Sequence, residues 1–248
     1  MKLFRKNEVT FAVMLIVIYV VGMSVMMNLS EDTGVKECAQ MIFALVMTAG
    51  LSVFIKRSSL GDHLGLRKPE VSGGRMLFYI PLLAMAVIQI VFGAGAEYNA
   101  LTSVFFVVKM LCVGFLEEVI FRGFLFRGIA RDSLNRAVII SSLTFAAGHI
   151  VNLLNGAHIT ENICQVIYAV MVGFLLVFIF LRTASIVPCI VFHAVNNAVT
   201  AFCTGSLLKD NFSEGTADII MLGIKLAIGA AYLLWVVRLP KRELPEMQ

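Results

Sequence analysis

This sequence is poor in charge. Asp, Glu, Lys and Arg make up 15% of its 248 residues, against about 25% in soluble domains. With 59% hydrophobic residues and a mean hydropathy of +0.90, an ordinary water-soluble domain is excluded. The net charge of +4 sits at the borders of apolar runs, so it reports membrane orientation and not a nucleic-acid partner. The five cysteines (Cys38, Cys112, Cys164, Cys189, Cys203) form no C-x-x-C pair and lie in or beside apolar segments. They read as small hydrophobes, not as a disulfide framework or thiolate metal site. H-E-x-x-H and G-x-S-x-G are absent, and the apolar cores hold no aspartate. These gaps remove the zinc-helix, serine-nucleophile and aspartyl-dyad hydrolase chemistries. No A-x-A-like site follows the long first apolar run, so a retained first helix is expected in place of a signal peptide.

What is present is a series of long charge-free runs: residues 9–30, 38–55, 76–96, 162–181 and 183–208. Each reaches or nears the roughly 20 residues that carry a helix across a bilayer. The expectation is an all-α polytopic membrane bundle of about eight transmembrane helices, near 9–28, 37–55, 76–94, 101–127, 137–154, 163–181, 185–204 and 217–237. Residues 1–248 would form one domain, multi-pass in the cell membrane with lipid as its first partner. Basic residues cluster at the N-terminus (Lys2, Arg5, Lys6), in the second connection (Lys56, Arg57, Arg67, Lys68, Arg75), in the fourth (Arg127, Arg131, Arg136), at Arg182, and at the C-terminus (Arg238, Lys241, Arg242). The opposite connections hold mostly acids. Eight spans with both termini cytoplasmic satisfy the positive-inside rule at every connection.

Several single residues carry simpler expectations. The 56–75 connection is either an interfacial amphipathic helix or a solvated basic loop, with His63 at its surface. His158 reads as a loop histidine and Lys109 as a snorkelling base. Lys225 reads as snorkelling or paired with an acid, and Trp235 as an interfacial anchor. Pro188 starts the seventh span with Ser185 as its cap, so residues 183–188 form an irregular entry that must be covered by protein or water.

Polar residues recur inside three spans: Glu117, Glu118 and Arg122; His149 and Asn152; His193, Asn196 and Asn197. Counted at 1.5 Å per residue from the nearest cytoplasmic base, Glu117 lies about 15 Å deep, His149 about 20 Å and His193 about 16 Å. Ionisable groups at that depth cost several kcal/mol and mark functional sites. Glu118 and Arg122 stand i,i+4 with Glu first, the favourable order for a helical ion pair. Glu117 is about 140° around the helix from Arg122 and is left to face other helices. Phe145, His149 and Asn152 share one helical face, and so do His193 and Asn197, with Asn196 close to it.

Two chemistries suit this set. Glu117 can take a proton from water while imidazole and amide groups stabilise an oxyanion, which requires no cofactor. Alternatively Glu117, His149 and His193 could hold a Zn2+ whose bound water is the nucleophile.

The motifs E-E-x-x-x-R (Glu117, Glu118, Arg122), F-x-x-x-H (Phe145, His149) and H-x-x-x-N (His193, Asn197), in this order on separate membrane helices, resemble the CPBP family of intramembrane proteases. That family covers CAAX prenyl endopeptidases, bacteriocin-processing and immunity proteins, and abortive-infection proteins. The motif core spans 117–197. The resemblance implies a peptide or protein substrate, prenylated or a bacteriocin precursor, and attack by water without an acyl-enzyme. Glu117 would be the base and His149 would help activate the water. His193 and Asn197 would bind the oxyanion, and Asn196 duplicates the amide beside Asn197. Many members are named metalloproteases, so the zinc alternative stays open. A catalytically silent membrane immunity protein of the same fold and a proton-coupled transporter are the competing functions.

One consequence is directly measurable. Membrane-impermeant labelling of single cysteines added at each terminus, in a background free of the native cysteines, should leave both protected in intact cells.

Overall fold

In the computed structural model, residue 4 and residues 7–32, 34–71 and 78–244 are described. Each of the eight apolar segments contains helix. We label them α1 (Glu8–Asp32), α2 (Cys38–Arg57), α3 (Ile80–Val91), α4 (Ala100–Glu118), α5 (Arg127–Ala130), α6 (Leu134–Gly148), α7 (Val151–Leu154), α8 (Ile159–Thr183), α9 (Val187–Ala198), α10 (Ser206–Lys209) and α11 (Glu214–Arg238). A π-helical stretch, Val119–Phe126, joins α4 to α5, and a 3-10 turn, Val199–Phe202, ends α9. Among the described residues there is no strand, only a single bridge between Ala94 and Cys203.

Five segments are long and apolar enough to cross a membrane: α1, α2, residues Leu134–Leu154, α8 and α11. Helices α3 and α9 are shorter and apolar. The outward faces carry residues that water would not tolerate in such numbers, such as Val13, Val17, Val21 and Val25 along α1. The inner faces meet around α4, the π stretch and α8. Residues 116–126 are buried without interruption, and so are 175–186 except Phe178.

Small residues set how closely these helices approach. A Cβ at Gly114 of α4 would lie 2.7 Å from the backbone nitrogen of Ala194 on α9. A Cβ at Gly173 of α8 would lie 2.9 Å from the Ser142 carbonyl oxygen of α6. The glycines therefore bring the Glu117–Glu118 turn against His193, and α6 against α8. Some side chains on these helices bond to the backbone of a neighbouring helix. The Ser141 hydroxyl donates to the Phe121 carbonyl in the π stretch at 2.9 Å.

The irregular entry to α9 is covered by protein, as its sequence requires. Ala184 adopts a left-handed conformation (φ 50°), and Pro188 lies in the first turn of α9. The loop after α2 supplies the missing hydrogen bonds. The Ile186 amide donates to the Gly65 carbonyl at 2.9 Å, and the Glu70 amide to Thr183 at 2.8 Å. The Ser185 hydroxyl donates to the Arg67 carbonyl at 2.5 Å and accepts from the Val187 amide at 3.1 Å.

That loop corrects two expectations. Over 58–65 it is a run of turns, neither an amphipathic helix nor a solvated strand of bases, because Leu60 and Leu64 are buried in the core. His63 is not a surface residue. It is 5% exposed, 2.8 Å from Glu8 and 3.3 Å from Arg127. Lys109 does not snorkel; it pairs with Glu37 on the N-terminal side of α2. The basic residues Lys2, Arg5, Lys6 and Arg75 lie outside the described residues.

Gly114→Ala should lower stability by about 1–3 kcal/mol, the usual cost of overpacking, because backbone and not a flexible side-chain end opposes the new methyl. Unfolding in detergent, followed by circular dichroism, measures this. An unchanged midpoint would mean that α4 and α9 are not in contact at this point.

Candidate active site

The polar residues of three motifs converge on one side of α4. Glu118 and Arg122 are fully buried, at 0% exposure each, and Arg122 Nη1 donates to Glu118 Oε1 at 2.9 Å. This is the expected i,i+4 pair. It has a third member that spacing did not reveal: His193 Nδ1 lies 2.8 Å from the same Glu118 oxygen. The same oxygen accepts from Arg122, so Nδ1 of His193 is assigned the proton and donates to it. The other ring nitrogen, Nε2, faces Glu117 Oε2 at 3.5 Å. His193 thus bridges the two adjacent glutamates.

Arg122 is fixed by more than charge. Its guanidinium lies 4.2 Å above the Phe145 ring, and Nη2 reaches the Gly173 carbonyl at 3.4 Å. Phe145 also packs edge-on against His149 at 5.5 Å and His193 at 5.6 Å between ring centres. The phenylalanine of F-x-x-x-H is therefore the hub around which both imidazoles and the guanidinium are arranged. His149 closes α6 at its C-terminus. Its carbonyl accepts from buried Asn162 of α8 at 2.8 Å, which holds the helix end in place.

Glu117 is not left unpaired, as its position on α4 suggested. Tyr19 of α1 donates its hydroxyl to Glu117 Oε1 at 2.6 Å. This occupies one carboxylate oxygen and leaves Oε2 toward His193. No motif marks Tyr19; it sits in a charge-free apolar run with nothing in its spacing to single it out.

The two asparagines divide the work. Asn196 accepts from the Tyr168 hydroxyl at 3.2 Å and donates from Nδ2 to Asn197 Oδ1 at 3.1 Å. With Oδ1 of Asn197 engaged, its amide nitrogen is presented outward as a donor. Asn152 donates to Gln165 of α8 at 2.9 Å and lines the cavity that also contains Glu117.

Two cavities meet here. One, about 260 Å³, is lined by Tyr19, Glu117, Asn152 and Lys109 among others. The other, about 280 Å³, is lined by His193, Asn196, Gln89 and Lys225 among others. Phe145, His149, Gln165 and Asn197 line both, while Glu117 lines only the first and His193 only the second. Lys225 neither snorkels nor pairs with an acid among the described residues. It donates to Gln89 Oε1 at 3.2 Å and sits 5.1 Å over the Tyr168 ring.

The fit to zinc is poor. Among the described residues no group of three or more His, Cys, Asp or Glu side chains is arranged to hold a metal ion. Glu118 accepts from Nδ1 of His193 and the Tyr19 hydroxyl donates to Oε1 of Glu117, so Nε2 and Oε2, 3.5 Å apart, are the atoms of these two residues that would face a metal, and His149 would have to join them.

The fold and site define an all-helical membrane protein with a buried carboxylate–imidazole centre. Residues 99–199 match the family model described as Type II CAAX prenyl endopeptidase, Rce1-like, a protease family. The match agrees with the family resemblance of the three motifs. It begins at Asn99, the N-cap of α4, and contains every motif residue, while Tyr19 and Lys225 lie outside it. Comparison with curated proteins and with solved structures gave no significant match.

Removing Arg122 takes the cationic donor from the buried Glu118 carboxylate and a donor from the Gly173 carbonyl. Arg122→Met should therefore cost about 3–5 kcal/mol, whereas Tyr19→Phe, which deletes one hydroxyl, should cost about 1–3 kcal/mol. Denaturant unfolding in micelles compares the two directly; equal effects would contradict the central place given to Arg122.

Proposed function

We propose that this chain is an intramembrane endopeptidase in which Glu117 activates a water molecule for direct attack on a peptide carbonyl. The observation that carries the reading is the Glu117–His193–Glu118–Arg122 cluster. It lies against two cavities that share His149 and Asn197, within a stretch matching a prenyl endopeptidase family.

The chemistry follows from the hydrogen bonds. Glu117 Oε1 accepts from Tyr19, which leaves Oε2 as the oxygen that takes the proton. Water held between Oε2 and His149 loses a proton to Glu117 as its oxygen attacks. The tetrahedral oxyanion is stabilised by Asn197 Nδ2–H and by His193 Nε2–H. Because Nδ1 already donates to Glu118, a second ring proton makes His193 a cation. Two carboxylates, one guanidinium and one imidazolium then sum to zero, the arrangement a low-dielectric interior tolerates best. Glu117 finally passes its proton to the departing amine, so the carboxylate is regenerated without a covalent intermediate. His149 orients the water, Asn196 positions Asn197, and Glu118 with Arg122 positions His193.

The substrate is a peptide or protein segment of the CAAX type, prenylated, or a bacteriocin-leader type, entering from the membrane or cytoplasm. The chain crosses the cell membrane eight times with both termini cytoplasmic, as a single domain. No metal is required in this reading.

Glu117→Gln should lower kcat by about 100- to 10,000-fold, the typical worth of a general base. Asn197→Ala should lower it by about 100- to 1,000-fold, as for one oxyanion donor. A cleavage assay on a prenylated CAAX peptide in liposomes measures both. Full activity of Glu117→Gln would remove the base assignment. Absence of cleavage by the parent would favour the silent immunity protein or the transporter. Metal counting by mass spectrometry on active protein is expected to find less than one zinc per chain; stoichiometric zinc that activity follows would replace the glutamate–water scheme.

A further inference from the structure

Lys225 has no role in the reaction and, among the described residues, no carboxylate paired with it. It lies in the middle of α11, half-buried, and lines the 280 Å³ cavity that also holds His149, His193 and Asn197. Among the described residues it forms no ion pair. Its ammonium has three donors, and one goes to the neutral Gln89 Oε1 at 3.2 Å. The Tyr168 ring below it at 5.1 Å supplies a cation–π contact. Two acids, Glu161 and Asp218, line the same cavity. Asp218 stands seven residues earlier on α11, about 10 Å along its axis, and neither acid reaches Lys225. A lysine held this way lines the same cavity as the candidate active-site residues His149, His193 and Asn197.

The geometry points to Lys225 as the anchor for a carboxylate of the bound peptide, a few residues from the bond that is cut. This rests on the endopeptidase reading given above. A chain of hydrogen bonds ties the anchor to the oxyanion side. Gln89 accepts from Lys225 and donates through Nε2 to the Asn196 carbonyl at 2.9 Å. Asn196 in turn donates to Asn197 at 3.1 Å. Two residues, Gln89 and Asn196, thus link the lysine to Asn197, the donor to the oxyanion. An extended peptide advances about 3.3–3.6 Å per residue, so the anchored carboxylate would lie within a short segment of the scissile bond. The cavity volume falls just under the range that takes a drug-sized ligand, which suits a few residues of chain and not a folded domain. The anchor would select where along a substrate the cut falls, separately from the chemistry of Glu117.

The anchored carboxylate has two sources, the C-terminus of the substrate or an acidic side chain. The test uses three prenylated CAAX peptides of one sequence: a free C-terminal acid, its C-terminal amide, and an amide with Asp as the last residue. Binding is measured by fluorescence anisotropy on Glu117→Gln protein, which does not turn the peptides over. Cleavage is measured on the parent. The acid should bind, and be cleaved, about tenfold or more better than the amide, in line with one charge-assisted hydrogen bond. Lys225→Met should shrink that ratio below about threefold, and Lys225→Arg should restore most of it. Recovery of binding by the Asp peptide assigns the anchor to side-chain acids; no recovery assigns it to the terminus. Equal handling of acid and amide by the parent, or an undiminished ratio in Lys225→Met, overturns the proposal. The endopeptidase reading is judged separately, by whether the parent cleaves any of the peptides and Glu117→Gln does not. If nothing is cleaved, the binding ratio alone still decides the anchor.

Discussion

The structure is organised around a single buried ion pair. Glu118 and Arg122 are both at 0% exposure, where an isolated charge would cost many kcal/mol and a pair is tolerated best when its remaining bonds are satisfied. The surrounding architecture supplies part of what the pair needs, while Glu118 Oε2 and Arg122 Nε make no hydrogen bond among the described residues. Phe145 stacks on the guanidinium, the Gly173 carbonyl receives one of its nitrogens, and His193 shares the carboxylate. The close approaches at Gly114 and Gly173 exist because these partners sit on three other helices and must come near the pair. The site follows from this arrangement. Once His193 is pinned to Glu118, its second nitrogen can only point toward Glu117.

A π stretch begins where this pair sits. Val119–Phe126 departs from α-helical bonding directly after Glu118, and such departures are frequent at functional sites. Its loosened carbonyls are partly taken up by Ser141 of α6. Helix α6 is thereby drawn to the same turn that carries the glutamates, and it delivers Phe145 and His149.

Much of this was legible in the chain itself. The eight apolar segments all contain helix because each is a long, mostly apolar run that can satisfy its backbone internally, even where charges interrupt the fourth and eighth. The matched depths of Glu117, His149 and His193 anticipated their meeting, since ionisable groups in apolar surroundings are driven to share one polar enclosure. The Glu118–Arg122 pair followed from spacing alone. What spacing could not supply was partner choice between helices. Tyr19 is invisible as a partner because a tyrosine in an apolar helix is as suited to packing as to hydrogen bonding. His63 was misread because the bases around it suggested a solvated loop, while Leu60 and Leu64 fold that loop inward. Lys109 was misread for a related reason: a snorkelling base and a base paired to Glu37 on another helix look alike in one dimension. The π stretch left no signal, since its sequence is as good for an α-helix.

The account depends most on the state of one ring. If Glu118 holds Nδ1–H of His193 and the two carboxylates keep the ring charged, both nitrogens carry protons. Nitrogen-15 NMR of the selectively histidine-labelled protein, with His193→Gln to assign the signal, reads this directly. We predict two protonated ring nitrogens at neutral pH, and loss of the Nδ1 proton signal in Glu118→Gln. A His193 ring whose Nδ1 is unprotonated in the parent would contradict the bridge between the glutamates and the mechanism built on it.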